Sequence, residues 1–311
     1  MATLNGHFQK FHTNISLDDS RVERIRAAHT KLRELVQNDR PLSNVLYEVF
    51  LQGSFRNNTA IRPLKGGFDV DVVLAIDATD PSSGWWRGKR DPEEVLNWVA
   101  RRLRDQPHYQ SHGVTVARRR RCVRLIYAGD FHLDVIPAHS DGNLENPLEV
   151  PDREASRWIQ SHPKGYTEWC EKVNKRTNGK FTRVTKMLKW WCRQKFDSNR
   201  APRSIVLQTL IGTHMPNNPS SDAEALTYTL VHLNKWLQSQ WLDSLGAPAV
   251  YNPSLRGENL ARGWDLEDYQ LFKRRVLSAT KKACEAFLEE DTEKSVRLWR
   301  ELFGEKFPVS V

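Results

Sequence analysis

The residues best placed to do chemistry are three carboxylates set in two apolar strands. Asp69 and Asp71 lie in Phe68-Asp69-Val70-Asp71-Val72, which continues into Val73-Leu74-Ala75-Ile76, and Asp134 lies in Phe131-His132-Leu133-Asp134-Val135-Ile136. Strand side chains alternate between faces, so Asp69 and Asp71 point the same way. Like charges on one face of a buried strand repel, and a hard divalent cation such as Mg²⁺, which prefers oxygen ligands, removes the conflict. With Asp134 added, such a set can hold two ions about 3.5–4 Å apart and clamp the attacking and leaving oxygens of a phosphoryl displacement. Upstream stand Gly53 and Ser54. A small residue and a hydroxyl suit a turn whose backbone N–H groups closely approach a phosphate. Each feature also has an ordinary reading: D-x-D as two solvated strand residues, Gly-Ser as a turn, Asp134 as the partner of a nearby arginine. Their order, and the apolar residues flanking each carboxylate, favour the metal.

The elements that must position these groups follow from the pattern. Residues 16–38 predict a long amphipathic helix, with Val22, Ile25, Ala28, Leu32 and Leu35 at spacings of three and four. A short apolar helix over 43–51 is expected to deliver the chain into Gly53. Asp80–Gly84 reads as a loop. Asp91, Pro92 and Glu94 give the start of a second helix, with Val95, Trp98, Val99 and Leu103 on its buried side. Strands are expected at 113–127 and 131–136, joined by the tight turn Ala128-Gly129-Asp130. Beyond Pro151 the pattern is helical, with helices near 152–161, 166–175, 181–196, 203–212, 222–241, 266–289 and 292–303. The pattern reads as an α/β catalytic half over 1–150 followed by a helical half over 151–311, with a cleft expected between them.

Composition narrows the partners. The 311 residues include 47 Lys and Arg against 38 Asp and Glu, a formal charge of +9 that favours nucleotides or nucleic acid. No Walker G-x-x-x-x-G-K-[ST] and no G-x-G-x-x-G is present, so P-loop and Rossmann chemistry lose their main support. Cysteines at 122, 170, 192 and 284 form no C-x-x-C pair, which argues against zinc or a disulfide framework. No apolar run nears the ~20 residues that cross a bilayer. The opening residues lack a signal-peptide core, so the expected location is cytoplasmic, with no membrane partner. Arg118–Arg121 read as a solvated strand edge, since alternation keeps four consecutive arginines from lining one groove. Trp85-Trp86 and Trp190-Trp191 read as anchors more than as base-stacking platforms.

Taken together, Gly-Ser, D-x-D and a third Asp resemble the DNA polymerase β-type nucleotidyltransferase superfamily. Within it, QGSFRNNTAIRP, FDVDVVL and FHLDVIPA resemble the bacterial CD-NTases, relatives of cyclic GMP-AMP synthase and oligoadenylate synthase. Lys186–Trp191, Ala201–Leu207 and Leu298–Gly304 are similar to the family's helical motifs. The resemblance implies an α+β, bilobal nucleotidyltransferase fold: a mixed β-sheet catalytic core with an N-terminal spine helix, and a C-terminal helical lobe closing the nucleotide cleft. It implies Asp69, Asp71 and Asp134 as Mg²⁺ ligands (two ions, with Mn²⁺ as a substitute), and Asp134 as the group assisting deprotonation of the attacking ribose hydroxyl. Gln52, Gly53 and Ser54 would cradle the donor triphosphate, and Lys189 and Ser204 would grip its β- and γ-phosphates; Ser204 would also serve as an ordinary N-cap. The implied reaction is template-independent condensation of nucleoside triphosphates into a cyclic di- or trinucleotide that activates an effector in anti-phage (CBASS) defence. Regulatory or conjugating partner proteins are compatible with it. The His/Cys zinc insertion of cyclic GMP-AMP synthase has no counterpart here, so DNA is not expected as an obligatory activator. The competing readings are an RNA- or tRNA-tailing enzyme of the same superfamily, and a catalytically silent nucleotide- or RNA-binding protein.

Overall fold

The computed structural model describes residues 4–63, 67–79, 89–129, 131–197, 199–240 and 246–311. Asp80–Gly84, Trp85-Trp86 and Asp130 of the expected turn lie outside the described residues. The chain divides into two compact units, one of Asp18–Asn58 and Pro63–Thr167, the other of Met1–Leu17, Thr59–Arg62 and Glu168–Val311.

The first of these carries the sheet. Its strands are β1 (Leu46–Gln52), β2 (Phe68–Ile76), β3 (Thr115–Arg118), β4 (Val123–Ile126), β5 (Phe131–His139), β6 (Leu148–Asp152) and β7 (Arg157–Ser161). They run in the order β1-β2-β5-β4-β3, with β6 joined to β5 and β7 to β6. Among the described residues only β2 and β5 pair in parallel; the other pairs are antiparallel. Val70, Val72, Leu74, Leu133 and Val135 are buried, as expected for strands covered on that face. On the other face Val73, Ala75, Ala138 and Leu148 form an apolar cluster with Phe50, Leu144 and Val150. Asp69 and Asp71 share that face, toward the start of β2. The 20-residue helix α2 (Asp19–Asn38), which follows α1 (Asn5–Ile15), is capped by Asp18, whose carboxylate accepts from the Arg21 N–H at 3.0 Å. After the short α3 (Arg40–Ser43) and α4 (Gly53–Arg56), α5 (Pro92–Arg104) starts at Asp91, which accepts from the Glu93 N–H, and packs against β3, β4, β5 and β6.

Three expectations are corrected. Residues 46–52 form a strand, not a helix: Leu46–Gln52 hydrogen-bonds along β2, and its β-branched and aromatic residues suit that setting. Residues 148–161 form the hairpin β6–β7 where a helix was expected over 152–161; its turn includes Ser156 at φ +46°. The strand expected over 113–127 is a hairpin, with Arg119–Cys122 forming the turn between β3 and β4.

The other unit is helical. Its helices are α8 (Lys180–Lys195), α9 (Ser204–His214), α10 (Asp222–Ser239), α11 (Leu266–Leu288) and α12 (Thr292–Phe303), preceded by α6 (Pro107–Ser111) of the sheet unit and by α7 (Pro163–Arg176), within which the division falls. Helix α8 packs against α1, α9, α10 and α12. Helix α1 belongs here although it opens the chain: Phe8 meets Trp299 edge-on at 5.1 Å, and Phe11 lies 4.7 Å from Phe303. Trp190 and Trp191 are buried, with the Trp190 indole N–H donating to the Phe303 carbonyl, so this pair is core. No helix among the described residues is long and apolar enough to cross a membrane.

Candidate active site

Register builds the site. Gln52 of β1 pairs with Asp71 of β2, Asp71 with Asp134 of β5, and Asp134 with Arg124 of β4. Residues paired across neighbouring strands project to the same side. One transverse row, Gln52–Asp71–Asp134–Arg124, therefore crosses four strands on a single face. Asp69 joins that face from two residues upstream of Asp71.

Gly53 follows the end of the row and turns the chain into α4. Its φ of +69° is the left-handed region open to glycine, and a Cβ there would overlap the Asp71 carboxylate. The backbone of the Gly-Ser turn thus lies against the Asp71 carboxylate. Ser54 is the second residue of α4.

The carboxylates differ in exposure. The Asp69 side chain is 52% exposed and that of Asp134 only 11%, so burial demands a counter-charge more strongly at Asp134. Arg124 supplies one. Its Nε donates to Asp134 Oδ1 at 2.7 Å and its Nη2 to Oδ2 at 2.8 Å, a two-pronged fork. The same Nη2 stands 2.9 Å from Asp69 Oδ1. This contact with Asp134 raises the Arg124 guanidinium above its ordinary value. The ordinary reading of Asp134, partner to an arginine, is thereby realised alongside its place in the carboxylate row. Cys122 lies beside them; burial first, then the Asp134 charge, pushes its thiol up.

The donor set suits a hard divalent ion: three carboxylates, all oxygen, on one face of a parallel strand pair. As the side chains stand, no three His, Cys, Asp or Glu groups among the described residues converge tightly enough to hold one. The guanidinium lies against two of the three carboxylates.

The remaining expected residues lie in the helical unit. Lys189 is 7% exposed; its ammonium donates to the Thr59 carbonyl at 3.1 Å and to Thr59 Oγ1 at 3.3 Å. Ser204 is exposed and is the first residue of α9; Arg203, not Ser204, is the N-cap.

The basic run is occupied structurally. Arg120 and Arg121 both donate to Asp152, whose side chain is wholly buried, at 2.8–3.0 Å, and Ala155 N–H adds a fifth bond at 3.2 Å. This ties the β3–β4 turn to the β6–β7 turn just before β4 carries Arg124 into the row. Of the arginines near Asp134 in sequence, Arg124 is the one brought opposite it, ten residues away across the hairpin.

A mixed sheet presenting a Gly-Ser turn and three carboxylates on one face defines a nucleotidyltransferase, and comparison with known proteins bears this out. The description of the Second Messenger Oligonucleotide or Dinucleotide Synthetase domain matches residues 1–174, more than half of the chain. A cyclic AMP-AMP-AMP synthase from an Acinetobacter species is 30% identical over 99% of this chain and 86% of its own length. The fold is that of the Bradyrhizobium diazoefficiens CD-NTase CdnG, solved with GTP (TM-score 0.76, 17% identity, 98% of this chain and 96% of that one). It is also that of Escherichia coli CdnC, solved in complex with a HORMA protein (0.74, 17%, 98% of both chains). The chain belongs to the bacterial CD-NTases, the second messenger oligonucleotide or dinucleotide synthetases. It is a nucleotidyltransferase that makes a cyclic oligonucleotide messenger, of a family that normally uses divalent metal ions.

Proposed function

We propose that the chain condenses nucleoside triphosphates, without a template, on the face that carries Asp69, Asp71 and Asp134. The observation that carries this reading is the transverse row beside the Gly53-Ser54 turn, in a chain of this family. Asp69, Asp71 and Asp134 are the residues that would hold Mg²⁺, as two ions, with Mn²⁺ able to replace it. Bound there, the metal supplies charge neutralisation for the triphosphate and lowers the pKa of the attacking hydroxyl. Gln52 and the Gly53-Ser54 backbone orient the donor triphosphate. A ribose hydroxyl oxygen then bonds to the α-phosphorus, the bond from that phosphorus to the bridging oxygen breaks, and pyrophosphate leaves with that oxygen. Asp134 accepts the hydroxyl proton. Repetition on the chain's other end closes the ring.

Lys189 and Ser204 are assigned to the β- and γ-phosphates on the family resemblance. The Lys189 contacts with Thr59 are what such a role must exchange. The product is proposed to activate an effector in CBASS defence in the cytoplasm, under control of a regulatory partner, a HORMA protein being bound by CdnC.

The test is incubation with all four labelled triphosphates and Mg²⁺, beside an Asp69→Ala/Asp71→Ala double variant, followed by phosphatase and mass spectrometry. The expected result is a phosphatase-resistant product from the wild type alone. Pyrophosphate with only open-ended products would transfer the assignment to tailing. Metal-dependent nucleotide binding with no pyrophosphate would make the chain a silent binder.

A further inference from the structure

Arg124 is a fixed cation placed where a metal ion would have to work. Its guanidinium forks onto Asp134 and reaches Asp69 through one shared nitrogen, so a single planar group spans two of the three carboxylates. Three features hold it there. Its Cα is paired in register with that of Asp134, so its side chain leaves the sheet on the carboxylate face. The turn preceding β4 is fastened through Arg120 and Arg121 to the buried Asp152. Its own side chain is only 21% exposed, so water screens the contacts weakly.

We propose that Arg124 is a resident counter-cation that competes with divalent metal for Asp69 and Asp134, so that the nucleotide-free enzyme takes up metal poorly and loads it together with its triphosphate. The inference rests on the reading of Asp69, Asp71 and Asp134 as the metal site. A guanidinium cannot lose its charge at physiological pH. It therefore neutralises the buried Asp134 when no metal is present, and one carboxylate oxygen cannot at full strength serve both a short charge-assisted bond and a metal. Arg124 is a positioning residue on this account: it acts on the carboxylates, not on the substrate.

The experiment titrates the full chain with Mn²⁺, followed by electron paramagnetic resonance, without nucleotide and with a non-hydrolysable ATP analogue. Wild type, Arg124→Gln and Arg124→Lys are compared, and each is melted in EDTA and in Mn²⁺. Removing a bidentate competitor should tighten nucleotide-free Mn²⁺ binding by about tenfold or more in Arg124→Gln. A lysine, which keeps the charge but not the fork, should give an intermediate tightening of about threefold. In EDTA, Arg124→Gln should melt below the wild type, with Mn²⁺ restoring the difference. A merely structural arginine would lower metal affinity on removal. Equal or weaker Mn²⁺ binding by Arg124→Gln, with the analogue-loaded proteins still binding the ion, overturns the inference and leaves the metal site standing. If Arg124→Gln does not fold, equal or weaker binding by Arg124→Lys overturns it. If no protein binds Mn²⁺ even with the analogue, the metal-site reading fails and the inference with it.

Discussion

Replacing Gly53 by alanine separates the two demands made on this residue. At φ +69° a Cβ meets its own backbone, which costs about 1–2 kcal/mol. At roughly 2–4 °C per kcal/mol for a unit of this size, that cost predicts a melting temperature lower by about 2–8 °C. The second demand falls on the site. The new Cβ would overlap Asp71 Oδ2, so either the carboxylate swings away or the turn lifts off β2. Displacements of about 1 Å at reacting groups cost about a hundredfold in rate. Gly53→Ala should therefore lose at least about that factor in pyrophosphate release while remaining folded. Gly257→Ala is the control. Its φ of +81° carries a similar backbone cost, but nothing lies within 4 Å of the added methyl. It should show a comparable fall in melting temperature with activity unchanged. Pyrophosphate release by Gly53→Ala within threefold of wild type would refute the reasoning, because the close approach to Asp71 would then be irrelevant to the reaction.

Two further outcomes follow from buried charges. Asp152→Asn should lower the melting temperature of the sheet unit by about 4–8 °C at pH 7, from about 2 kcal/mol after discounting for half-exposed arginines. Because Arg120 holds the Asp152 carboxyl well below its usual range, this contribution is present above about pH 4 and fades as the pH falls further. A pH-independent difference down to pH 2 would contradict it. Lys186, buried against α1 with its ammonium 3.2 Å from Ser16 Oγ, is pushed down to about 8 by burial. The folded chain thus releases this proton before the unfolded chain does. The penalty is full below pH 8 and disappears by pH 10.5. Lys186→Met should melt above the wild type at pH 7, by up to about 3 kcal/mol, with the gap closing between pH 8 and 10.5. A gap that is constant with pH would show that Lys186 is not desolvated.

Much of the candidate site's placement could be read from alternation alone. A period of two put Asp69 and Asp71 on one face, and apolar neighbours marked Asp134 as a strand residue. The helices from 163 onward also followed their apolar spacing. What failed was decided by pairing partners. Val45–Leu51 is apolar enough for either a short helix or a strand, and only hydrogen bonding to β2 selects the strand. Asp152–Ser161 begins with good helix formers, yet β6 is available to pair and Asp152 is needed by two arginines, so the segment becomes a turn and a strand. Helix α1 opens the chain yet packs within the helical unit, because Phe8 and Phe11 find their aromatic partners near residues 299–307. Among the arginines near Asp134, Arg124 becomes its partner because the β4–β5 register sets the two opposite each other.

The parallel pairing of β2 with β5 has a kinetic consequence. Hairpins such as β3–β4 can close as soon as their few residues exist, but a parallel partner must be brought back across a long intervening segment, and such non-local contacts form slowly. Asp71 and Asp134 become neighbours only at that step. A nascent or half-folded chain therefore carries all three acids without the row proposed as the catalyst, which exists only once the central sheet has closed.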